Sequence, residues 1–386
     1  MPAAARIVPS AKGKFLTRDF SLQIVVIATA LIAGLVPGGL LLWNTHQAAH
    51  DMADDLAAEK LRGRADSAAS ALAITLFNDW RDVGIVAAGI EPDTPPAKMR
   101  STIEGAALDK EQYAWFGIAS PEGKVVAATG GLLEGQDVSS RPWFREGLQG
   151  PFAGDVHEAV LLQRILQPDA KEPLRFVDFS LPLERNGTVF AVAGAHLNWN
   201  WVTSLFTTLI RGESDLMLIS REGVVLVGPP DLQGKSLHMP RLRLAQEGGP
   251  RTFIGPWPDG DEYFSAVTPS VRYRTLPNFG WSVVARQPTS TVYGLLHAAT
   301  YRAIGLFVVS LGVVGLLAMA VGHWAATPLL LIAKQAGATE RPAAGTPQDK
   351  ANRYTEARLL ADAVYLLQDQ RPPARLERPR ETGISD

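Results

Sequence analysis

Between Asp19 and Asp51 no side chain carries a formal charge, and the run Phe20 to Trp43 is apolar almost throughout. About 20 apolar residues cross a bilayer, so this stretch reads as a transmembrane helix. Pro37, Gly38 and Gly39 interrupt it, but such residues are tolerated in membrane helices. A cleaved signal peptide is the alternative; the run is long for one, and no small-x-small cleavage site follows at once. A second apolar run, Ala303 to Gly322, follows Arg302 and ends at His323-Trp324. Trp43 and Trp324 suit opposite bilayer interfaces. Arg6, Lys12, Lys14 and Arg18 precede the first span against Asp19 alone, which puts the N-terminus in the cytoplasm. Two crossings return the C-terminus to the same side, and Asn44 to Tyr301 lies outside.

Length and charge narrow the rest. A chain of 386 residues has room for two or three folded units. Its net charge of -2 gives no basic field, which excludes nucleic acid as a partner. No cysteine is present. Disulfides, thiol catalysis and thiolate metal sites are therefore excluded, and an oxidising compartment fits.

From Asn44 to Ile90 there is no proline, and Leu56, Leu61, Leu72, Leu76, Trp80 and Val83 recur at helical spacing. Such a helix is about 70 Å long, and Glu91-Pro92 stops it. A short helix follows over Lys98–Leu108. Then come a strand Tyr113–Ala119, a turn Ser120–Gly123 and a returning strand Lys124–Ala128. Leu174–Pro182 and Thr188–His196 form an antiparallel pair, with the hairpin signal Asn186-Gly187 between them. Trp199–Ile210 is helical. The pattern repeats: Ser-x-Glu-Gly-x-Val recurs, with Gly123 and Gly223 in register. Behind the second copy lie a helix Met239–Glu247 and strands Glu262–Thr268 and Trp281–Arg286. The alternative is two unrelated strand-turn-strand units. The fold class expected is α+β: a long N-terminal helix with two tandem PAS-like antiparallel-sheet modules, flanked by two transmembrane helices.

The chemistry-bearing stretch is Gly130 to Asp155. It sets Arg141, Trp143 and Phe144 within four residues, after a glycine-rich loop and at a helix start on Pro142. An arginine fork grips a carboxylate or a heterocycle edge, and an indole offers a face for stacking. The competing reading is a surface arginine packed on a core tryptophan. Asp155, His157, Asp178 and His196 are able to converge as a metal or acid–base site. Their spacing specifies no metal, so none is expected, and isolated groups of this kind beside strands are commonly satisfied polar residues. No catalytic triad order, phosphate loop or zincin helix occurs, and neither enzymatic activity nor a cofactor is expected.

A long helix followed by two tandem PAS-like modules between two spans resembles the double Cache sensor domain of bacterial transmembrane receptors. The likeness covers about Asn44 to Gln287. It is carried by Tyr113-Ala-Trp-Phe-Gly-Ile-Ala with its Glu-Gly turn, Arg141-Pro-Trp-Phe, Gly154-Asp-Val-His, Phe176-Val-Asp-Phe-Ser-Leu-Pro and Ala193-Gly-Ala-His-Leu. The resemblance is closest to the sensor regions of diguanylate cyclases and histidine kinases. It implies a ligand in the membrane-distal module, gripped by Arg141 and walled by Trp143, with Trp115, Phe144, Asp155, His157, Asp178 and His196 around it. Where ligands of the family are amino acids, an Asp usually stands at the position of His196, a Tyr at that of Phe144, and another Tyr precedes the arginine. These departures leave Asp155 or Asp178 to supply an anion. The cytoplasmic helices Ala326–Ala336 and Tyr354–Leu367 resemble a HAMP relay, opened by Pro328-Leu329 and marked by Glu356; Thr355 stands where an Asp is usual. Two unspecialised amphipathic helices are the alternative.

The expected organisation is a cytoplasmic segment 1–19, a span 20–43 and a periplasmic sensor 44–287. Within the sensor the distal module covers about 91–205 and the proximal one about 206–287. A helix 288–322 leads through the second span at 303–322, a HAMP-like part covers 323–370, and a disordered tail covers 371–386. The 64 residues after the second span hold no kinase, cyclase or methyl-accepting output. The expectation is an inner-membrane receptor subunit. Its partners would be a small metabolite (amino acid, carboxylate, amine or purine-like), the lipid bilayer, a second copy in a homodimer, and a cytoplasmic signalling protein acting in trans. Rival readings are a membrane-anchored structural or adaptor protein with a self-filled pocket, and a periplasmic hydrolase.

Overall fold

A computed structural model describes residues 22–108, 110–158, 162, 166, 174–209, 214–337 and 355–369. The segment 1–19 expected in the cytoplasm, the linker between the two helices expected there and the tail 371–386 lie outside these residues. The chain divides into two compact units.

One unit joins the segments before Gln47 and after Ala298. Helix α1 (Leu22–Ala88) begins in it, and helix α6 (Thr289–Gly337) ends in it. Both are long and apolar enough to cross a membrane. Ile32, Leu35, Leu40, Leu306, Val309 and Leu317 are exposed, which costs free energy in water and none in lipid. Gly34 and Gly38 lie four apart on α1 and let α6 approach: a Cβ on Gly38 would sit 2.3 Å from Phe307 Cε2, and one on Gly34 would sit 3.2 Å from Leu311 Cδ2. Pro328 does not open a separate helix, as the HAMP resemblance implies; it lies inside α6. A proline costs a helix one ladder bond and some strain, and here the helix runs on past it. Helix α7 (Thr355–Asp369) packs Ala361 and Val364 on the buried Ile332 of α6.

The other unit, Ala48–His297, is α+β. Helix α2 (Pro96–Ala107) follows α1, and then come β1 (Tyr113–Ala119), β2 (Val125–Ala128), α3 (Pro142–Gly147), β3 (Phe152–Glu158), β4 (Arg175–Arg185), β5 (Thr188–Asn198) and α4 (Trp199–Leu209). The second set is β6 (Asp215–Ile219), β7 (Val225–Val227), α5 (Pro240–Gln246), β8 (Thr252–Pro256), β9 (Glu262–Thr268) and β10 (Ser282–Pro288). Two five-stranded antiparallel sheets result, in the orders β2-β1-β5-β4-β3 and β7-β6-β10-β9-β8. The sheets thus share one topology, strand for strand. Asn186 (φ 52°) and Gly187 (φ 78°) make the left-handed pair that a two-residue hairpin needs.

The repeat extends to single hydrogen bonds. Gly123 N donates to Ser120 O and Gly223 N to Ser220 O; Val138 N donates to Gly123 O and Leu237 N to Gly223 O. Each first hairpin also shifts register at the matching place, between Ile118 and Ala119 and between Leu218 and Ile219. Strands β3 and β8 were not foreseen from the sequence. Gly154 and a register shift break the alternation in β3, and β8 has only five residues ending in proline.

Side chains alternate between faces along each strand. Val177, Phe179 and Leu197 join the core built on Leu61, Leu72 and Leu76 of α1, whereas Phe116, Ile118, Ala193 and Ala195 pack with α2. The opposite face carries Trp115, Phe176 and Val192 beneath α3. The cavity lies on that face.

Candidate functional site

Three central strands present one residue each per layer to this face. Gly117 pairs with Gly194, and Asp178 pairs with His196. The two glycines are needed because two indoles lie over them. A Cβ on Gly117 would come 2.4 Å from Trp115 Cζ2, and one on Gly194 would come 2.5 Å from Trp143 Cζ3. The tryptophan rings meet at 5.6 Å between centroids. Trp115 donates its Nε1–H to Leu132 O at 3.0 Å. Ser180 Oγ donates to Trp143 O at 2.7 Å, which fixes α3 on the sheet.

Between α3 and these strands lies a cavity of about 310 Å³. Its lining includes Trp115, Arg141, Trp143, Asp155, His157, Asp178 and His196. Phe144, the remaining sequence-nominated residue, turns into the core and meets Trp143 edge-on at 5.9 Å. Leu133, Val138, Phe152 and Leu162 add apolar wall beside these; nothing in their apolar character marks them in the sequence. Leu133 has a left-handed backbone (φ 67°), which is costly for a branched residue. It sits in a loop tied down by Glu134, which pairs with Arg100 of α2 and accepts from Ala128 N at 3.0 Å.

The polar groups are unevenly placed. His196 and Asp178 are buried, with His196 Nδ1 at 2.5 Å from Asp178 Oδ1. His157 Nε2 lies 3.6 Å from the other carboxylate oxygen of Asp178. His157 reaches this face because the register shift in β3 sets two residues, Asp155 and Val156, against the single Val177 of β4. That extra residue reverses the alternation and re-aims the side chain. His196 is packed between rings, at 5.0 Å from Trp115 and 6.0 Å from Trp143. Asp155 accepts from Trp281 Nε1 at 2.6 Å, which ties the cavity rim to the residue preceding β10. Burial is the largest influence on the Asp155 carboxyl and holds its pKa above the usual carboxylate range. Arg141 is exposed at the rim and makes no ion pair among the described residues.

The second sheet, β6 to β10, shows what the same position looks like when filled. Ile118 pairs with Ala193 as its repeat partner Leu218 pairs with Val283. Counting along both strands places Arg286 where His196 stands, and Ser265, which pairs with Arg286, where Asp178 stands. The buried guanidinium of Arg286 lies 3.8 Å from the Tyr263 ring centroid and 4.6 Å from that of Trp257. It pairs with Asp215 at 2.9 Å and Asp259 at 2.7 Å. A side chain of the protein thus occupies the matching position of the second sheet as an internal cation in an aromatic and carboxylate cage. A larger depression of about 870 Å³ on this module is walled by exposed polar residues such as Arg221, His238, Arg243 and Arg272 and has no aromatic face.

No protein-family model matches the sequence, and no curated protein matches it. Among solved structures, the chain is similar to the ligand-binding domain of the Pseudomonas fluorescens chemoreceptor CtaA in complex with L-leucine. The identity is 16%, covering 64% of this chain and 99% of that one, with a TM-score of 0.47. It is similar to the ligand-binding domain of the Pseudomonas aeruginosa PAO1 amino acid chemoreceptor PctB in complex with L-Arg, at 16% identity over 61% and 97% of the two chains and a TM-score of 0.48. For the ligand-binding domain of Campylobacter jejuni Tlp3 in complex with L-norvaline, the identity is 11% over 62% and 94%, with a TM-score of 0.49.

Proposed function

We propose that the chain is a membrane-bound sensory receptor subunit. It binds a small polar ligand in the distal cavity and passes the change in occupancy across the bacterial inner membrane. One observation carries this reading: of two repeated modules, the proximal one fills its site with Arg286, while the distal one keeps a cavity with Arg141 at its rim and two indoles in its wall. A structural or adaptor protein would have reason to fill both. Arg141 suits a carboxylate, and the acids and histidines opposite suit an amine or a heterocycle.

Relay is supported by the Asp155–Trp281 hydrogen bond and by the passage from β10 into α6 without an intervening loop. Leu330, Leu359, Leu360, Leu366 and Leu367 of the cytoplasmic helices are exposed, which suits cover by a second copy or by a cytoplasmic partner. A ligand shifts such a balance only through its differential affinity for the two states.

The test is a thermal-shift screen of metabolites on the purified chain, since stabilisation tracks the ratio of free ligand to Kd. Arg141→Ala should then cost about 1.5–3 kcal/mol of binding, the range for a hydrogen bond to a charged group. Unchanged affinity in a folded R141A variant would place the ligand elsewhere. For the dimer, single cysteines along Ala303–Gly322 should cross-link with helical periodicity, and uniform absence of cross-links in membranes would argue for a monomer.

A further inference from the structure

We infer that His157, Asp178 and His196 form a binding site for a divalent transition-metal ion of the zinc class at the floor of the distal cavity. This inference rests on the reading of that cavity as the stimulus site and makes the metal part of the stimulus.

The three side chains come from three adjacent strands, yet one donor atom from each lies within 4.8 Å of the others. An ion bound at about 2.0–2.2 Å from nitrogen and oxygen ligands draws its donors closer than that. His157, whose side chain is 39% exposed, can swing inward. The direct His196 Nδ1–Asp178 Oδ1 hydrogen bond has to open and give up its proton, because two ligands of one ion stand farther apart than those atoms do.

The surroundings favour a metal over a plain ion pair. Each oxygen of the buried Asp178 faces an imidazole, and neither faces a Lys or Arg among the described residues. His157 Nδ1 lies 3.2 Å from Asp155 O. That carbonyl can only accept, so Nδ1 is the donor there, and Nε2, the atom facing Asp178, is the one available to a metal. A backbone carbonyl fixing the tautomer of a histidine in this way is the usual outer support of a metal ligand. Gly154 leaves Asp178 room, since a Cβ there would lie 3.3 Å from Asp178 Oδ2. The rings of Trp115 and Trp143 form an apolar wall beside the site.

Two imidazoles and one carboxylate select zinc, nickel or copper over magnesium and calcium, which prefer all-oxygen shells. Three protein ligands leave at least one coordination position open toward the cavity. A small carboxylate held at Arg141 is suited to fill it.

The experiment uses the full chain in detergent, purified without a histidine tag and stripped with EDTA. Calorimetric titration with ZnCl2 should show one saturable site per chain, with none for Mg2+ or Ca2+, and Co2+ should develop visible d–d absorption. His157→Gln, Asp178→Asn and His196→Gln should each weaken Zn2+ binding at least tenfold. His157 is partly exposed, so H157Q keeps the test valid if a core variant does not fold. Zn2+ binding that persists at parental affinity in folded H157Q and D178N overturns the inference, as does the absence of saturable binding to the parent chain. An organic ligand that stabilises the EDTA-stripped chain, lost in R141A and accompanied by no Zn2+ site, overturns the metal while leaving the sensor reading intact. Neither metal nor organic ligand binding overturns both.

Discussion

Asp79 stands on α1 against the start of β1 in the first sheet, 4% exposed. Its Oδ1 accepts from Gln112 Nε2 at 3.0 Å, its backbone carbonyl accepts from Tyr113 OH at 3.1 Å, and its Oδ2 is buried with no hydrogen-bond partner. Burial is the dominant cause of its shift and raises the pKa from 3.8 to about 6, against the opposing pull of Gln112 and Lys110. The folded chain therefore holds this proton to a higher pH than the unfolded chain does. Between the two values the unfolded state binds fewer protons, so the contribution of Asp79 to stability falls as pH rises and levels off above about 6. At about 1.4 kcal/mol per pH unit the loss is bounded near 3 kcal/mol. Asp79→Asn imitates the protonated form, keeping the acceptor for Gln112. The variant should match the parent chain below pH 3.8 and exceed it above pH 6, by up to about 3 kcal/mol. For a unit of this size that is several degrees in Tm, at roughly 2–4 °C per kcal/mol. The assay is the difference in Tm between parent and D79N across this pH range, in which groups common to both chains cancel. A difference that is flat with pH, or that grows toward acid, refutes the reasoning.

Two further perturbations probe the paired modules. Gly194→Ala drives a Cβ to within 2.5 Å of the Trp143 ring, so it should cost about 1–3 kcal/mol of stability and weaken any ligand by pushing the indole into the cavity; a parental Tm would show that the ring is not seated as described. Arg286→Ala should destabilise by about 3–5 kcal/mol, because it leaves Asp215 and Asp259 without their cation. Added methylguanidinium should recover part of the loss, and an unchanged Tm in R286A would contradict the internal-cation account.

The features legible in the sequence are those set by neighbours along the chain. The two apolar runs, the proline-free alanine-rich helix, the Asn186-Gly187 hairpin and the repeated Ser-x-Glu-Gly-x-Val turn each report on a few consecutive residues. The structure has α1, the hairpin β4–β5 and the paired turns at those places. The residues nominated around the Arg141 loop also line one cavity, except Phe144, since helical and strand periods do not tell which side of α3 meets the sheet. Only tertiary structure decided the rest. Asp178 and His196 lie opposite each other through strand register, and His157 joins them because a register shift in β3 reverses its face, a displacement of one residue that no local pattern announces. Nor does the repeat itself say that one copy is open and the other closed. That difference comes from a single side chain, Arg286, whose buried charge is stable only where Asp215, Asp259, Trp257 and Tyr263 converge from separate segments to hold it.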